Sequence, residues 1–301
     1  MINTLIWNIR GIGNSLAKKM TKTLIKDHKL NLLALIEPKI SLDPKYLCRL
    51  FNFQQVVQNA SNHIWLLCDH NCQIQILPSS RQLLHVKVSS PLSPTPFLLF
   101  IVYEEHSHLP RQDLWADLLD VADNSLPWMV GGDFNIVLHL HEKKGGALPI
   151  QSELEDFQDA LLDCHLSDGG YSGPPFTWYR NSIWHRIDRI LFSPSWFPFF
   201  PSSYVTHLAR HHSDHNVLLC KFSPLFVKPK SSFHFQNMWS RHHLFIQVVK
   251  DSWFIPSPSF GLNKLLHKLG RLKCALQSWN RTTFGNIFAC FAQAQSEASE
   301  A

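Results

Sequence analysis

Pro127-Trp128-Met129-Val130-Gly131-Gly132-Asp133-Phe134-Asn135-Ile136-Val137-Leu138 decides how the rest of this 301-residue chain is read. An apolar run ends in two glycines, and a carboxylate and an amide follow, two residues apart. Residues i and i+2 of a strand point to one face, so a strand end here would aim Asp133 and Asn135 at one place. The glycines permit a tight turn and let a backbone or a phosphate come close. A plain strand followed by an Asx turn explains these five residues equally well, because Asp and Asn are ordinary turn residues. What separates the two readings is whether other polar strand ends converge on the same place.

Several do. Asn8 closes an expected strand Asn3–Asn8, and Glu37 closes the apolar run Leu32–Ile36, directly before Pro38. Tyr103 ends the run Phe97–Tyr103, Asp188 lies in HRIDRILF, and Asp214-His215 feeds an expected strand Val217–Phe222. Continuous apolar runs of this length suit strands buried on both faces. Apolar spacing of three and four predicts helices from Asn14 or Ser15 to His28, Pro44–Phe51, Arg111–Ala122 and Ser152–Cys164. Strands are expected at Phe53–Gln58, His63–Cys68, Gln73–Leu77 and Leu83–Val88, with clear alternation in Gln73–Ile76 and His85–Val88, and the short polar links between successive strands predict antiparallel hairpins. Phe176–Tyr179 is expected to pair with one strand, Ile183–Leu191.

Buried acids are rare unless they are paired or bind metal. A fold that gathers these strand ends would hold carboxylates, two amides and an imidazole in one pocket. That set suits a hard divalent cation and acid–base work on a phosphate ester. His211 and His212 beside His215 raise a zinc reading, but no Cys/His set of tetrahedral spacing completes it.

Composition narrows the classes. The chain is 45% hydrophobic, enough for a large core. It has no apolar run of the ~18 residues that span a bilayer and no evident signal peptide, so no membrane association is expected. Seven cysteines, an odd number without a CxxC pair, predict buried reduced thiols. Residues 224–301 carry nine Lys and Arg against three Asp and Glu, a net +6, which leaves −1 of the total +5 for residues 1–223. This asymmetry, with Pro224 and Pro229, predicts a domain 1–223 followed by a basic linker and helical extension 224–301. A Leu262–Trp279 stripe there reads as a packing face, a second short helix is expected after Gly285, and the polar C-terminus is expected to fray. A basic appendage beside an acidic site suits a polyanionic substrate.

WNIRG, ALIEPK, IVY, GGDFN, HRIDRIL and SDH, in that order, resemble the endonuclease/exonuclease/phosphatase superfamily of deoxyribonuclease-I-like enzymes. PWMVGGDFNIVL, EKKGG and GPPFTWYRN are most similar to the endonuclease domain of plant LINE-type (non-LTR) retrotransposons, and FQNMW and LQSWNRTTFGNI resemble the segment that follows it there. The resemblance covers about residues 1–222 and implies an α/β fold, a four-layer sandwich of two packed mixed β-sheets with helices outside. It implies Mg²⁺, with Mn²⁺ as a substitute, bound by Glu37 with Asn8 and Asp214 nearby. Asp133 would orient or deprotonate the attacking water, and Asn135 would hold the phosphate or the water. His215 would contact the scissile phosphate, Asp188 would fix its ring and charge, and Tyr103 would support the phosphate. The implied activity is DNA nicking by an element truncated before its reverse transcriptase, with RNA as a further partner of the basic extension and the nucleus as the expected location. The alternatives are a catalytically idle nucleic-acid-binding remnant, suggested by Glu104-Glu105-His106 after Tyr103, and a phosphatase of the same superfamily.

Overall fold

The computed structural model describes residues 1–104, 108–122, 126–225, 235, 237–256 and 261–283. The chain divides into two compact units, Met1–Lys228 and Pro229–Ala301. In the first unit the order begins β1 (Ile2–Asn8), α1 (Ser15–His28), β2 (Leu32–Ile36), α2 (Pro44–Phe51), β3 (Gln55–Gln58), β4 (Ile64–Cys68) and β5 (Gln73–Ile76). It continues with β6 (Leu83–Ser89), β7 (Phe97–Tyr103), α3 (His108–Ala122), β8 (Trp128–Asp133), β9 (Lys143–Lys144), α4 (Gln151–Asp163) and β10 (Ser167–Asp168). It ends with β11 (Trp178–Arg180), β12 (Ile183–His185), β13 (Asp188–Phe192), α5 (Trp196–Phe199), β14 (Ser202–His207) and β15 (Leu218–Ser223).

Two six-stranded mixed sheets form, in the orders β14-β15-β1-β2-β4-β3 and β10-β13-β8-β7-β6-β5, with a small third sheet β11-β12-β9. The parallel pairs are β1 with β2 and β7 with β8. Their connections run through α1 and α3, as a parallel crossover requires. The period-2 alternation of the strands then sorts the core into layers. Ile2 and Ile6 of β1, Ala34 of β2, Leu99 and Ile101 of β7, Met129 of β8 and Ile190 of β13 share one cluster between the sheets. The alternate residues face outward. Leu5, Trp7, Leu33 and Leu35 pack under Ala17 and Leu24 of α1 and Leu47 and Phe51 of α2. Leu98, Phe100, Val102 and Val130 pack under Leu114 and Leu118 of α3 and Phe157 and Leu161 of α4. The result is the four-layer α/β sandwich.

The same parity positions the polar strand ends. Asn8, Tyr103, Asp133 and Asp188 each sit an even number of residues from an inward-facing neighbour: Ile6, Ile101, Met129 and Ile190 respectively. They therefore project between the sheets, where the apolar layer stops. Gly132 lets β8 run close beside β7. Its φ is +151°, and a Cβ there would overlap the Val102 backbone. Gly132→Ala is expected to cost about 2–4 kcal/mol through backbone strain and overpacking, read as a lower urea midpoint with an unchanged slope.

Several boundaries depart from the sequence reading. Ile183–Leu191 is not one strand. It breaks at Arg186-Ile187 into β12, which pairs with β11 and β9, and β13, which pairs with β8 and β10. β4 and β5 are consecutive yet belong to different sheets, and β14 is an additional edge strand. Among the described cysteines all six are free; Cys68, Cys72, Cys164 and Cys220 are buried, but Cys274 is exposed and Cys48 is partly so.

The second unit contains a 3₁₀ turn, Asn237–Arg241, and helices α6 (Phe245–Trp253) and α7 (Gly261–Thr283). Trp239 Nε1 donates to Asn280 Oδ1 at 2.7 Å, tying the turn to α7. The leucine stripe is a packing face only in part: Leu276 is buried, whereas Leu262, Leu265, Leu266 and Leu269 are exposed. The expected linker around Pro229, the helix after Gly285 and the polar C-terminus lie outside the described residues, as do Glu105 and His106. No described helix is long and apolar enough to cross a membrane.

Candidate active site

The strand ends converge. Asn8, the last residue of β1, donates through Nδ2 to Glu37 Oε1 at 2.9 Å and to Asp133 Oδ2 at 2.8 Å, so one amide bridges carboxylates from the two sheets. Asp133 ends β8 and pairs in register with Asp188, which begins β13. The Asp188 carboxylate accepts from His215 Nδ1 at 3.0 and 3.1 Å. An ionised carboxylate only accepts, so Nδ1 carries a proton. His215 Nε2 is buried without a hydrogen-bond partner, 3.7 Å from Asp133 Oδ2 and 3.8 Å from Asp214 Oδ1. An orphaned buried nitrogen among carboxylates calls for a ligand, because leaving it unmet is costly.

Charge follows from this geometry. Burial raises the pKa of Asp133 and the Asp188 charge adds to it, while His215 and the Asn8 hydrogen bond pull it back. Burial opposes the charge on His215, yet Asp188 and Asp133 outweigh it and raise its pKa. Burial also works against the Glu37 carboxylate, but the Asn8 hydrogen bond, Arg10 and Lys39 bring its pKa below the ordinary value. Tyr103 pairs in register with Asp133, and burial, with the charges of Glu37 and Asp133, lifts its hydroxyl far above the usual range. Tyr103 therefore stays protonated and able to donate.

Asn135 reaches the site differently from expectation. β8 ends at Asp133, and Asn135 adopts a left-handed conformation with φ +49°. Its backbone N–H donates to Asp133 Oδ1 at 3.0 Å and its side-chain amide donates to the Glu104 carbonyl at 2.6 Å. Arg10, Glu37 and Lys39 also have positive φ. Strained backbone of this kind persists where the surroundings over-determine it, and it clusters at functional sites.

Other residues complete the arrangement. Thr177 Oγ1 accepts from the amides of Ile187 and Asp188 at 3.0 and 2.9 Å, so it holds the start of β13 in place. Ser213 Oγ donates to the Asn8 carbonyl at 2.7 Å and accepts from the His215 amide at 3.1 Å. Arg10 places Nη1 3.0 Å from Glu37 Oε1 and Nε 3.2 Å from Asp214 Oδ1. Asp214 Oδ2 also accepts from Trp178 Nε1 at 3.0 Å. Lys39 Nζ lies 3.2 Å from Glu37 Oε2. Behind β13, Glu142 binds Arg186 and Arg189 at 2.7 Å each, and Asp168 binds the same two arginines at 2.7 and 3.1 Å. Neither Glu142 nor Asp168 stands out in the sequence; the signal it offers is the two arginines that flank Asp188.

Among the described residues, two groupings offer metal ligands at this site. Asp133, Asp188 and His215 present ligand atoms within 4.8 Å of one another. The proton on His215 Nδ1 removes one lone pair from that set, so it makes an incomplete cage. Glu37 and Asp214 already hold a cationic group, Arg10, between them, and their oxygen donors match a hard divalent ion. Among the described residues His211 and His212 join no metal-ligating group.

The sequence profile described as the endonuclease/exonuclease/phosphatase family matches residues 5–242. No curated protein sequence matches. Solved structures do, at low identity. The endonuclease domain of TRAS1, a telomere-specific non-LTR retrotransposon, is 14% identical, covers 74% of this chain and 98% of its own, and superposes with a TM-score of 0.57. The AP endonuclease LMAP from Leishmania major is 12% identical over 74% of this chain and 87% of its own, with a TM-score of 0.58. The 3′ phosphatase NExo from Neisseria, solved with a product DNA hairpin, is 17% identical over 74% of this chain and all (100%) of its own, with a TM-score of 0.55. These likenesses share the sandwich, and the profile match spans the elements that bring Asn8, Glu37, Asp133, Asp188 and His215 together: the chain belongs to the endonuclease/exonuclease/phosphatase family.

Proposed function

We propose that this chain is a divalent-metal-dependent phosphodiesterase that nicks DNA, of the kind carried by LINE-type elements, with Mg²⁺ as its cation and Mn²⁺ as a substitute. The observation that carries the reading is the pairing of a buried Asp188–His215 couple with a buried Asp133, bridged by Asn8 to Glu37. A phosphodiester resists attack because its anionic oxygens repel an incoming hydroxide. Asp133, whose proton affinity is raised, takes the proton of the attacking water while Asn8 and the Asn135 amide hold its carboxylate in place. His215, kept cationic by Asp188, presents Nε2 as a donor to a phosphate oxygen as charge develops. The Tyr103 hydroxyl, which stays protonated, donates to the same group. Glu37, with Asn8 and Asp214, would hold a divalent ion, which when bound would supply further neutralisation of the developing charge.

A nucleic acid suits the surroundings better than a small phosphate ester. The β11–β12 ribbon next to Asp214 carries Trp178, Tyr179, Arg180 and Trp184, and Arg210 stacks over the Tyr179 and Trp184 rings at 4.7 and 4.8 Å. Aromatic faces interleaved with guanidinium groups, beside Lys143 and Lys144 of β9, form a surface for bases and phosphates. α7, which has Lys264, Lys268, Arg271 and Lys273 but no acid, adds a second polyanion-binding element, for DNA or for RNA. Nuclear residence follows from this reading.

The test is a substrate panel with Mg²⁺ or EDTA: supercoiled plasmid, single-stranded RNA and 4-nitrophenyl phosphate. Open-circular plasmid only with Mg²⁺ is the expected result. Turnover of the monoester alone would assign a phosphatase, and DNA retardation without cleavage would assign an idle binding remnant.

A further inference from the structure

Glu37 and Asp214 reach toward one point from different elements, and that point is filled by the chain itself. The Arg10 guanidinium lies 3.0 Å from Glu37 and 3.2 Å from Asp214, with a second contact from Nη1 to Glu37 Oε2 at 3.2 Å. We infer that Arg10 is a built-in cation that a divalent ion must displace from Glu37 and Asp214, and that the freed guanidinium then binds a substrate phosphate. This rests on the metal-dependent reading above.

Three observations carry it. A guanidinium does not lose its charge in a protein, so it cannot become a neutral bystander when a metal arrives. Both cations would share the same carboxylate oxygens at short range, where like charges repel strongly. The backbone also sets Arg10 there by construction. Its φ is +53°, Gly11 follows at +116°, and its own N–H donates to Asn8 Oδ1 at 3.3 Å, so the chain turns sharply after β1 and returns the side chain over Glu37. The side chain is 29% exposed, against 8% for Glu37, so it has a way out toward solvent while the carboxylate does not. Once displaced it remains at the mouth of a phosphate-binding site, and the planar fork of arginine suits bidentate phosphate contact. Lys39 Nζ also lies 3.2 Å from Glu37 but is 52% exposed and, among the described residues, pairs with no second carboxylate, so it yields without a comparable loss.

The experiment measures Mn²⁺ affinity of the full chain by calorimetry, without substrate, for wild type, Arg10→Met, Arg10→Gln and Lys39→Met, with circular dichroism to confirm folding. Arg10→Met is expected to bind Mn²⁺ about tenfold tighter or more, since one directly competing charge is gone. Arg10→Gln, which keeps a neutral donor in place, gives the same comparison if the methionine variant fails to fold, and Lys39→Met should shift affinity less than about threefold. A short duplex, followed by anisotropy, should bind Arg10→Met more weakly than wild type in Ca²⁺ and equally in EDTA. Wild type and folded Arg10 variants with equal Mn²⁺ affinity would overturn the inference and leave the phosphodiesterase reading standing. Absence of Mn²⁺ binding in all of them would overturn both.

Discussion

Asp133→Asn is expected to lower kcat for plasmid nicking by about 10²–10⁴-fold, the range for removing an acid–base group, with KM little changed. The substitution keeps the shape, and its one acceptor oxygen can meet either Asn8 Nδ2, which in wild type donates to Oδ2, or the Asn135 amide, which in wild type donates to Oδ1. What disappears is the group that takes the proton. Stability should change far less than activity. Asp133 is fully buried against Asp188, and both burial and that neighbour work against its charge. An uncharged amide removes this penalty but leaves one buried donor facing its NH2, so the two effects offset and the variant's melting temperature should stay close to that of wild type. A variant that loses both activity and stability would place Asp133 in a structural role. The pH profile adds a second reading. Because the Asp133 pKa is raised, the acid limb of kcat should lie well above about 4, the ordinary aspartate value, and the residual activity of Asp133→Asn should lack that limb.

Glu142→Ala is expected to destabilise the fold by about 3–5 kcal/mol, the range for removing one partner of a buried charge cluster. Arg186 and Arg189 are both buried, and Asp168 alone would have to balance them. Glu142 also accepts from the Leu138 amide at 2.6 Å, so the loop that follows Asn135 loses an anchor as well. The same cluster makes stability depend on pH. Burial opposes the Glu142 charge, but Arg189 and Arg186 prevail and hold its pKa down to about 2, from an ordinary 4.5. A depressed folded-state pKa means that the stabilisation is fully present above the unfolded value and is lost as pH falls through the folded one. Wild type should therefore lose about 3 kcal/mol between about pH 4.5 and 2 from this group, by linkage. Urea melts at pH 7 and pH 3 check both statements: the alanine variant should be much weaker at pH 7 and should lack this segment of the acid dependence.

How much of this was legible in the sequence differs by element. Strands that are apolar on both faces announced themselves, and Leu32–Ile36 and Phe97–Tyr103 fall where the apolar runs place them. Their polar ends were equally visible, because Asn8, Glu37, Asp133 and Asp188 each close or abut an apolar run. The structure brings these together with Tyr103, Asp214 and His215 at one end of the sandwich. Asn135 was expected there for the wrong reason: the strand stops at Asp133, and a left-handed turn rather than strand alternation brings Asn135 back to its neighbour's carboxylate. The break inside Ile183–Leu191 was hidden because what sets it is the burial of Arg186 and Arg189 against Glu142 and Asp168, residues that lie well before them in the chain. Long-range pairing of this kind leaves no local periodicity to read. The same holds for Arg10, whose partners Glu37 and Asp214 lie far away along the chain. The Leu262–Trp279 stripe shows the converse: helical spacing predicted the helix, but spacing alone does not say whether a face is covered.

The most direct test of the central claim is nicking of supercoiled plasmid by the purified chain in Mg²⁺ and in EDTA, beside Asp133→Asn. Open circles that need Mg²⁺ and vanish in the folded variant are the predicted result. Nicking that persists in EDTA, or at an unchanged rate in Asp133→Asn, would contradict it.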